Sequence, residues 1–251
     1  MKGKSKVVKP KKTLKTSTFI LGFTLAFLFF LTNASANPTG VTISDNITES
    51  MTINPPSNRT DEGGTITTLV LDVLQQNSRW KAYVGNMSGM LTLSDADGQS
   101  IYQWQMGGAD LTGNLFISGS DSIIWENVEC SNQTMIYDEE TLLLFDSNNV
   151  DSINRTFNET THPELTVGLN TIPQDSCRST STFVNDAPQS QSNADFPLVL
   201  LTTGDRLIYT SPVINQGASY STGTEADFQA IVPDIDSGDS TTYFFYAEIG
   251  G

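Results

Sequence analysis

Residues 197–210 read Pro197-Leu-Val-Leu-Leu-Thr-Thr-Gly-Asp-Arg-Leu-Ile-Tyr-Thr210. Two short apolar runs, Pro197–Leu201 and Leu207–Thr210, flank the turn residues Thr203-Gly204-Asp205. Such runs joined by a Gly-Asp turn predict a β-hairpin, because Gly and Asp tolerate the positive φ angles that tight turns require. The sequence therefore predicts an antiparallel strand pair near the C-terminus.

Similar strand patterns lie on both sides of this hairpin. Downstream, Phe228–Val232 precedes Pro233, and Thr242–Ile249 alternates its side chains between two faces. The upstream runs are Ile66–Leu74, Trp80–Val84, Met90–Leu93, Ile101–Trp104, Leu115–Ile117 and Ile123–Trp125. Short runs separated by Gly and Asp favour an antiparallel sheet, and about ten strands suffice for two packed sheets. The predicted fold is all-β, an antiparallel β-sandwich of about ten strands with long decorated loops.

Two segments depart from the strand pattern. Residues 138–146 begin with acids, which favour a helix start because the helix dipole is positive there; a strand is the alternative. Residues 147–195 contain two sequons and the polar run Asp186–Asp195, and they predict long surface loops. One sandwich domain is therefore predicted over residues 65–251, and a split at Asp186–Asp195 is the alternative.

The first 36 residues have the order of a secretory signal peptide. Seven lysines and no acid precede the mostly apolar run Phe19–Leu31, and Ala34-Ser35-Ala36 fits the small-residue cleavage rule. Cleavage after Ala36 makes Asn37 the mature N-terminus and predicts a secreted or cell-surface protein. A retained membrane anchor is one alternative, although the apolar run is shorter than the roughly 20 residues that a span needs. Pilin-type cleavage before the apolar run is another alternative.

The next segment, residues 37–64, is rich in Asn, Thr, Ser and Pro and can bury little apolar surface. Val41 and Ile43 nevertheless alternate with polar neighbours, which is typical of a strand. A sheet edge accepts an extra strand through backbone hydrogen bonds alone. We therefore expect a flexible segment, or a strand that pairs with its own domain or is donated to a neighbouring subunit.

The net charge of the chain limits the kinds of molecule that it can bind. Without residues 1–36, one lysine and five arginines remain against 28 acidic residues, so the formal net charge falls from −15 to −22. A surface this negative repels phosphate backbones and anionic lipid headgroups. We therefore expect no nucleic-acid partner and no membrane contact beyond an uncleaved signal anchor. Other surface proteins, a second copy of the chain and carbohydrate remain as partners.

Cys130 and Cys177 are the only cysteines. In an oxidising exterior two cysteines most simply form one disulfide, and free thiols or a metal pair are the alternatives. The chain also contains six N-glycosylation sequons, and a glycan at any of them requires an exposed loop or strand edge. Their asparagines are Asn46, Asn58, Asn86, Asn132, Asn154 and Asn158.

Candidate sites for chemistry are few. His162 is the only histidine, and neither a G-x-S-x-G elbow nor a phosphate-binding loop occurs, so we assign no catalytic residue and do not expect an enzyme. Calcium is the one cofactor that the sequence suggests, because aspartates cluster on two predicted turns. Turn aspartates that cap their own backbone are the alternative. The aspartates are Asp95, Asp97, Asp234, Asp236 and Asp239.

Several aromatic residues fall within one series of predicted strands. They are Trp80, Tyr83, Tyr102, Trp104 and Trp125. On an exposed face they would form a platform on which sugar rings stack, and in the interior they would belong to the core. Trp80 has the parity of Val84, and Tyr102 that of Trp104, so at least part of the set faces inward. The core is the favoured interpretation.

Two sets of residues carry a resemblance. One is Trp80-Lys-Ala-Tyr-Val-Gly-Asn-Met-Ser-Gly89 with Leu91-x-Leu93 and Tyr102-x-Trp104, and the other is Asp227–Pro233 with Tyr243–Tyr246. These stretches, about a third of the chain, resemble elements of uncharacterised secreted, β-rich cell-surface proteins of archaeal type. The resemblance implies a cell-surface or filament-forming β protein, and it transfers no functional residue. We therefore predict a secreted, glycosylated envelope or filament subunit or adhesion protein that acts by contact; a carbohydrate-binding module and a secreted hydrolase are the alternatives.

Overall fold

The computed structural model describes residues 37–48, 79–94, 97, 99–106, 111–146, 148–235 and 240–250. Within these ranges strands predominate over helices, and every pair of neighbouring strands is antiparallel. The fold is all-β and sandwich-like, which confirms the predicted class. The long strand predicted over residues 66–74 lies outside the described residues.

The described strands are β1 (Thr39–Gly40), β2 (Trp80–Gly85), β3 (Gly89–Ser94), β4 (Ser100–Met106), β5 (Thr112–Ser118), β6 (Glu129–Cys130), β7 (Leu165–Val167), β8 (Asn170–Ile172), β9 (Ser179–Ser181), β10 (Phe183–Val184), β11 (Ala187–Pro188), β12 (Pro197–Thr202), β13 (Leu207–Ile214), β14 (Gly217–Ala218), β15 (Glu225–Ala226), β16 (Phe228–Pro233) and β17 (Phe244–Gly250). The described helices are α1 (Gln133–Leu142), α2 (Ile153–Thr156) and the short 3-10 helices Trp125–Asn127 and Gln191–Asn193. Seven strands form a main sheet in the order β1-β17-β5-β13-β12-β6, with β9 also paired to β12. The others form two-stranded pairs, including β2 with β16 and β7 with β8.

The predicted hairpin over residues 197–210 forms β12 and β13, in the interior of the main sheet. Every residue of β12 is buried. Successive side chains point to opposite faces of the sheet. Leu198 and Leu200 join a first core on one face, whereas Val199 and Leu201 join a second core on the other face. The uninterrupted apolar run of β12 therefore reflects a sheet that is covered on both faces.

Different elements cover the two faces. On the first face lie α1, α2 and the β2–β16 pair, from which Ile136, Ile153 and Val232 are fully buried. On the second face lie the β7–β8 hairpin and the 3-10 helix at Trp125, with Val167 fully buried. The main sheet is thus the central layer between two apolar cores.

Strand β17 continues the same alternation. Phe245 and Ile249 pack against the first core and Tyr246 against the second, as the sequence pattern predicts. Beside it in β5, Gly113 has φ +142°, and a Cβ atom there would overlap the carbonyl oxygen of Glu248. Only glycine fits this position, because a side chain would be strained and would also meet the neighbouring backbone.

The strand predicted at Ile123–Trp125 is wrong. The chain enters a 3-10 helix at Trp125 instead. The Trp125 ring packs against Phe116 at 5.2 Å and Tyr246 at 5.3 Å between centroids. Burial of this one large ring against the sheet, rather than a strand ladder, therefore determines the local structure.

The helix predicted over residues 138–146 is present but displaced. It begins at Gln133, because the Asn132 side chain accepts the Met135 N–H and caps the helix. The predicted loops of residues 147–195 are also more ordered than expected, since they contain α2 and five short strands. Leu165 and Ile172 are buried against the main sheet, so tertiary packing stabilises strands that are too short to show a clear sequence pattern.

Candidate contact site at the sheet edge

The N-terminal segment lies along the outer edge of the main sheet. The two residues of β1 lie opposite Tyr246 and Ala247 of β17. The next amide extends the ladder, because the Val41 N–H donates to the Phe245 carbonyl at 3.0 Å. In this structure the segment therefore pairs with its own domain, and donation of the strand to a neighbouring subunit stays a prediction.

Residues 37 and 38 attach this segment to two further elements. Pro38 is buried. The Asn37 Nδ2 donates to Glu126 Oε1 at 3.1 Å, at the 3-10 helix. The Asn37 Oδ1 lies against the β7–β8 turn, where a Cβ atom on Gly168 would be only 2.6 Å away. The beginning of the segment is thus held by the 3-10 helix, the β7–β8 turn and β17.

Glu248 is a half-buried carboxylate on β17 beside the same turn. Both of its oxygens accept the Gly168 N–H, at 3.0 and 3.2 Å. Burial raises the pKa of Glu248 above its ordinary value, and the Gly168 hydrogen bond opposes that rise. Glu126 therefore binds the Asn37 side chain directly, whereas Glu248 binds the turn against which Asn37 lies.

Beyond β1 the segment exposes apolar side chains. Val41, Ile43 and Ile47 are 38%, 64% and 87% exposed. Residues 41–48 have no regular secondary structure. Branched apolar side chains that are exposed next to a sheet edge can contact another strand or another chain. The arrangement is therefore chemically suited to contact.

The described residues give little support to the predicted calcium sites. Three of the five aspartates lie outside the described residues: Asp95, Asp236 and Asp239. Asp97 is exposed, and Asp234 forms an ion pair with Lys81 at 2.8 Å. In the described part of the chain, no three His, Cys, Asp or Glu side chains are grouped as a metal site would require. Calcium at either turn stays a prediction.

Trp125 is buried and Trp80 is partly buried against the first core, so both pack inward as the core interpretation predicts. Trp80 packs on Phe145 and Phe157, and its indole N–H donates to the Asp151 carbonyl at 2.9 Å. Trp125 is only 8% exposed. Tyr102 is exposed, and the side chain of Trp104 lies outside those described. A sugar-binding platform built on Trp80 and Trp125 is therefore not formed.

The predicted disulfide is confirmed, and His162 supports it. Cys130 in β6 is bonded to Cys177, with Cα atoms 5.0 Å apart. His162 is 3% exposed, and its Nε2 accepts the N–H groups of Ser176 at 3.1 Å and Cys177 at 2.9 Å. Because Nε2 accepts, the ring proton is on Nδ1, which donates to the Pro163 carbonyl at 2.7 Å. His162 thus fixes the chain at the disulfide.

The sequons differ in accessibility. The exposed asparagines are Asn46, Asn86, Asn132 and Asn158. Asn154 is half-buried, and its Oδ1 accepts a hydrogen bond from Gln133 Nε2 at 2.9 Å. Asn58 lies outside the described residues. Four positions therefore have the exposure that a glycan needs, and glycosylation itself stays a prediction.

A surface cavity of about 430 Å³ lies beside the sequon residue Asn86. Its lining residues are Asn86, Asn215, Gln216, Glu225 and Asp227. Asp227 is buried, and its two carboxylate oxygens accept the N–H groups of Met87 at 2.7 Å and Gln216 at 2.9 Å. Asp227 therefore cross-links two turns, and each of its carboxylate oxygens accepts a backbone N–H group.

Comparisons with known proteins leave the site to be interpreted from its geometry. No family model, characterised protein or solved structure matches the chain. None of the helices in the described ranges is long and apolar enough to span a membrane. The site residues Glu126, Gly168 and Glu248 carry no sequence motif, and the only sequence signal nearby is the predicted cleavage site before Asn37.

Proposed function

We propose that the protein is a secreted, glycosylated cell-surface protein that acts by contact, as a subunit of an envelope layer or filament or as an adhesion module. The sheet edge at β1, together with the residues 41–48 that follow it, carries this proposal. A two-residue strand closes the edge of β17, and Val41, Ile43 and Ile47 are exposed beside it. Strand addition uses this combination, because backbone hydrogen bonds provide affinity and alternating side chains provide specificity. The exposed sequon asparagines support an exterior location.

The partner is another surface protein, with a second copy of the chain as the first candidate. A formal net charge of −22 without residues 1–36 makes two copies repel each other at low salt. High salt screens this repulsion, since the Debye length falls from about 10 Å at 0.1 M to about 3 Å at 1 M. Self-association through apolar side chains should therefore strengthen as salt is added.

Light scattering and negative-stain microscopy of the secreted protein, at low and high salt, test the proposal. The double variant Val41→Thr/Ile43→Thr removes apolar contact but keeps β-branched residues, so it should weaken assembly without unfolding the domain. Val150→Thr is the matched control, because Val150 is 68% exposed elsewhere on the surface. A wild-type protein that stays monomeric at all salt concentrations and captures no surface protein would contradict the contact function. Unchanged assembly of the double variant would exclude this edge as the contact.

A further inference from the structure

The sequon residue Asn86 lines the surface cavity of about 430 Å³, together with Asn215, Gln216, Glu225 and Asp227. Asn86 is exposed and lies in the connection between β2 and β3. A glycan attached to its Nδ2 atom would therefore begin at the cavity itself.

The backbone around Asn86 is held in place by Asp227. The Asp227 N–H donates to the Gly85 carbonyl at 2.9 Å, and the Met87 N–H donates to Asp227 Oδ2 at 2.7 Å. The other carboxylate oxygen accepts the Gln216 N–H at 2.9 Å. One buried carboxylate thus fixes both the sequon and a second wall of the cavity, so the cavity is formed before any ligand enters it.

The lining suits a neutral sugar. The volume falls within the range of about 300–1,000 Å³ that is typical of small-molecule sites, but such sites are mostly apolar, whereas every lining residue here has an amide or a carboxylate. Among the described residues, the side chains of Asn215, Gln216 and Glu225 have no protein hydrogen-bond partner. Amides donate and accept hydrogen bonds and carboxylates accept them, as sugar hydroxyls require. The carboxylates also disfavour an acidic sugar, because like charges repel.

Covalent attachment makes weak contacts sufficient. A free sugar would lose translational and rotational freedom on binding, and a few solvent-exposed hydrogen bonds would hardly offset that cost. A sugar tethered to Asn86 has already lost most of that freedom, and a short tether keeps its effective concentration in the millimolar range or above.

We propose that Asn86 carries a glycan whose first neutral sugar occupies this cavity, hydrogen-bonded to the side chains of Asn215, Gln216 and Glu225. The glycan then joins the β2–β3 connection to the β13–β14 turn and to β15. This inference rests on the glycosylation in the proposed function and is independent of the contact at the sheet edge.

Amide hydrogen exchange of the secreted protein tests the site, after peptide mass spectrometry has established that Asn86 is glycosylated. The Met87 and Gln216 amides, which both donate to Asp227, report on the two walls of the cavity. They should exchange about two- to tenfold more slowly in the glycosylated wild type than in Asn86→Gln or Ser88→Ala, the factor that one net hydrogen bond supplies. Ser88→Ala removes the sequon but keeps the asparagine.

Two further variants separate binding of the sugar from its mere presence. The double variant Asn215→Ala/Glu225→Ala keeps the Asn86 sequon but removes two partners of the sugar, so it should lose the protection although it is glycosylated. Asn158→Gln is the matched control, because it removes an exposed sequon asparagine that does not line the cavity. It should leave both amides unchanged.

The outcomes distinguish the site from the proposed function. Glycans at other sequons but not at Asn86 overturn the site alone, whereas a secreted chain without any glycan overturns the proposed glycosylation as well. Equal exchange in the wild type and both sequon variants overturns the site, and so does full protection in the glycosylated double variant. Exchange of the β12 amides reports on the fold of each variant. If the variants alter it, wild-type chain from a host that does not glycosylate is the comparison, and equal exchange there refutes the site.

Discussion

Replacing Arg206 with methionine should lower the free energy of unfolding by about 3–5 kcal/mol. Arg206 Nε and Nη2 donate to the two carboxylate oxygens of Glu139 at 2.7 and 2.8 Å. Glu139 lies on α1 and is 2% exposed, whereas Arg206 lies on the turn between β12 and β13. The hydrogen bond to Glu139 raises the pKa of Arg206, so the guanidinium stays charged at any pH at which the protein can be studied.

The magnitude follows from what the substitution leaves behind. Methionine keeps much of the apolar stem of Arg206, so packing changes little and the main effect is electrostatic. Glu139 would remain buried without its cation, and breaking a buried pair by removing one partner costs about 3–5 kcal/mol. Removing both charges in Glu139→Leu/Arg206→Met should restore most of the stability, because well-packed apolar residues often replace a buried ion pair without loss.

Urea unfolding at neutral pH, with the disulfide intact, measures these differences from midpoints at constant slope. Lys81→Met is the matched control, because the Lys81–Asp234 pair has a lysine side chain that is 45% exposed. An exposed pair of this kind contributes only about 0–1 kcal/mol. The reasoning is refuted if Arg206→Met costs no more than Lys81→Met, or if the double variant is as unstable as Arg206→Met.

Three further predictions concern the covalent link, the backbone and a buried hydroxyl. Reducing the Cys130–Cys177 disulfide, whose sequence separation is 47, should lower the free energy of unfolding by about 4 kcal/mol on the loop-entropy model. Urea unfolding of the reduced, alkylated protein measures this loss, and a loss under about 1 kcal/mol would contradict the prediction. Gly113→Ala should destabilise more than Gly204→Ala, because both glycines have positive φ but only at Gly113 would the Cβ meet neighbouring backbone; similar thermal midpoints would disprove the overlap. Tyr209→Phe should be neutral or stabilising at neutral pH, because the Tyr209 hydroxyl is buried without a described partner. Burial also raises the pKa of Tyr209 in the folded protein. The contribution of Tyr209 ionisation to the free energy of unfolding is therefore constant below the ordinary pKa of 10 and becomes unfavourable as the pH rises above it. Wild-type stability should therefore fall more steeply than that of Tyr209→Phe between about pH 9 and pH 11, and parallel pH profiles would refute this.

The strands with clear local patterns are predictable from the sequence. The hairpin at residues 197–210 follows from turn residues and apolar runs, and the two-faced alternation of Thr242–Ile249 anticipates the packing of β17. Parity also predicts that part of the aromatic set faces inward, and Trp80 packs against the first core. In each case the decisive interactions lie within the segment or follow from its period of two, so neighbouring residues contain the information.

Elements that depend on distant partners are not predictable in this way. Ile123–Trp125 has the composition of a strand, yet the position of Trp125 is determined by its packing on aromatic rings from β5 and β17. The strands β7 and β8 have three residues each and are stable because the main sheet buries their apolar side chains. Local propensity is too weak over three residues to specify a strand without that burial.

The sequence by itself determined the candidate cleavage site, the two cysteines and the acidity of the chain, because each is a property of composition or of adjacent residues. Tertiary structure alone decided what surrounds Asn37. Its partner Glu126 is 89 residues away, and Gly168 is 80 residues from Glu248. The pKa of Glu248 depends on how much solvent the folded sheet removes and on which donor it supplies. Those quantities exist only after strands from opposite ends of the chain have paired, since burial and long-range contact are properties of the fold and not of any segment.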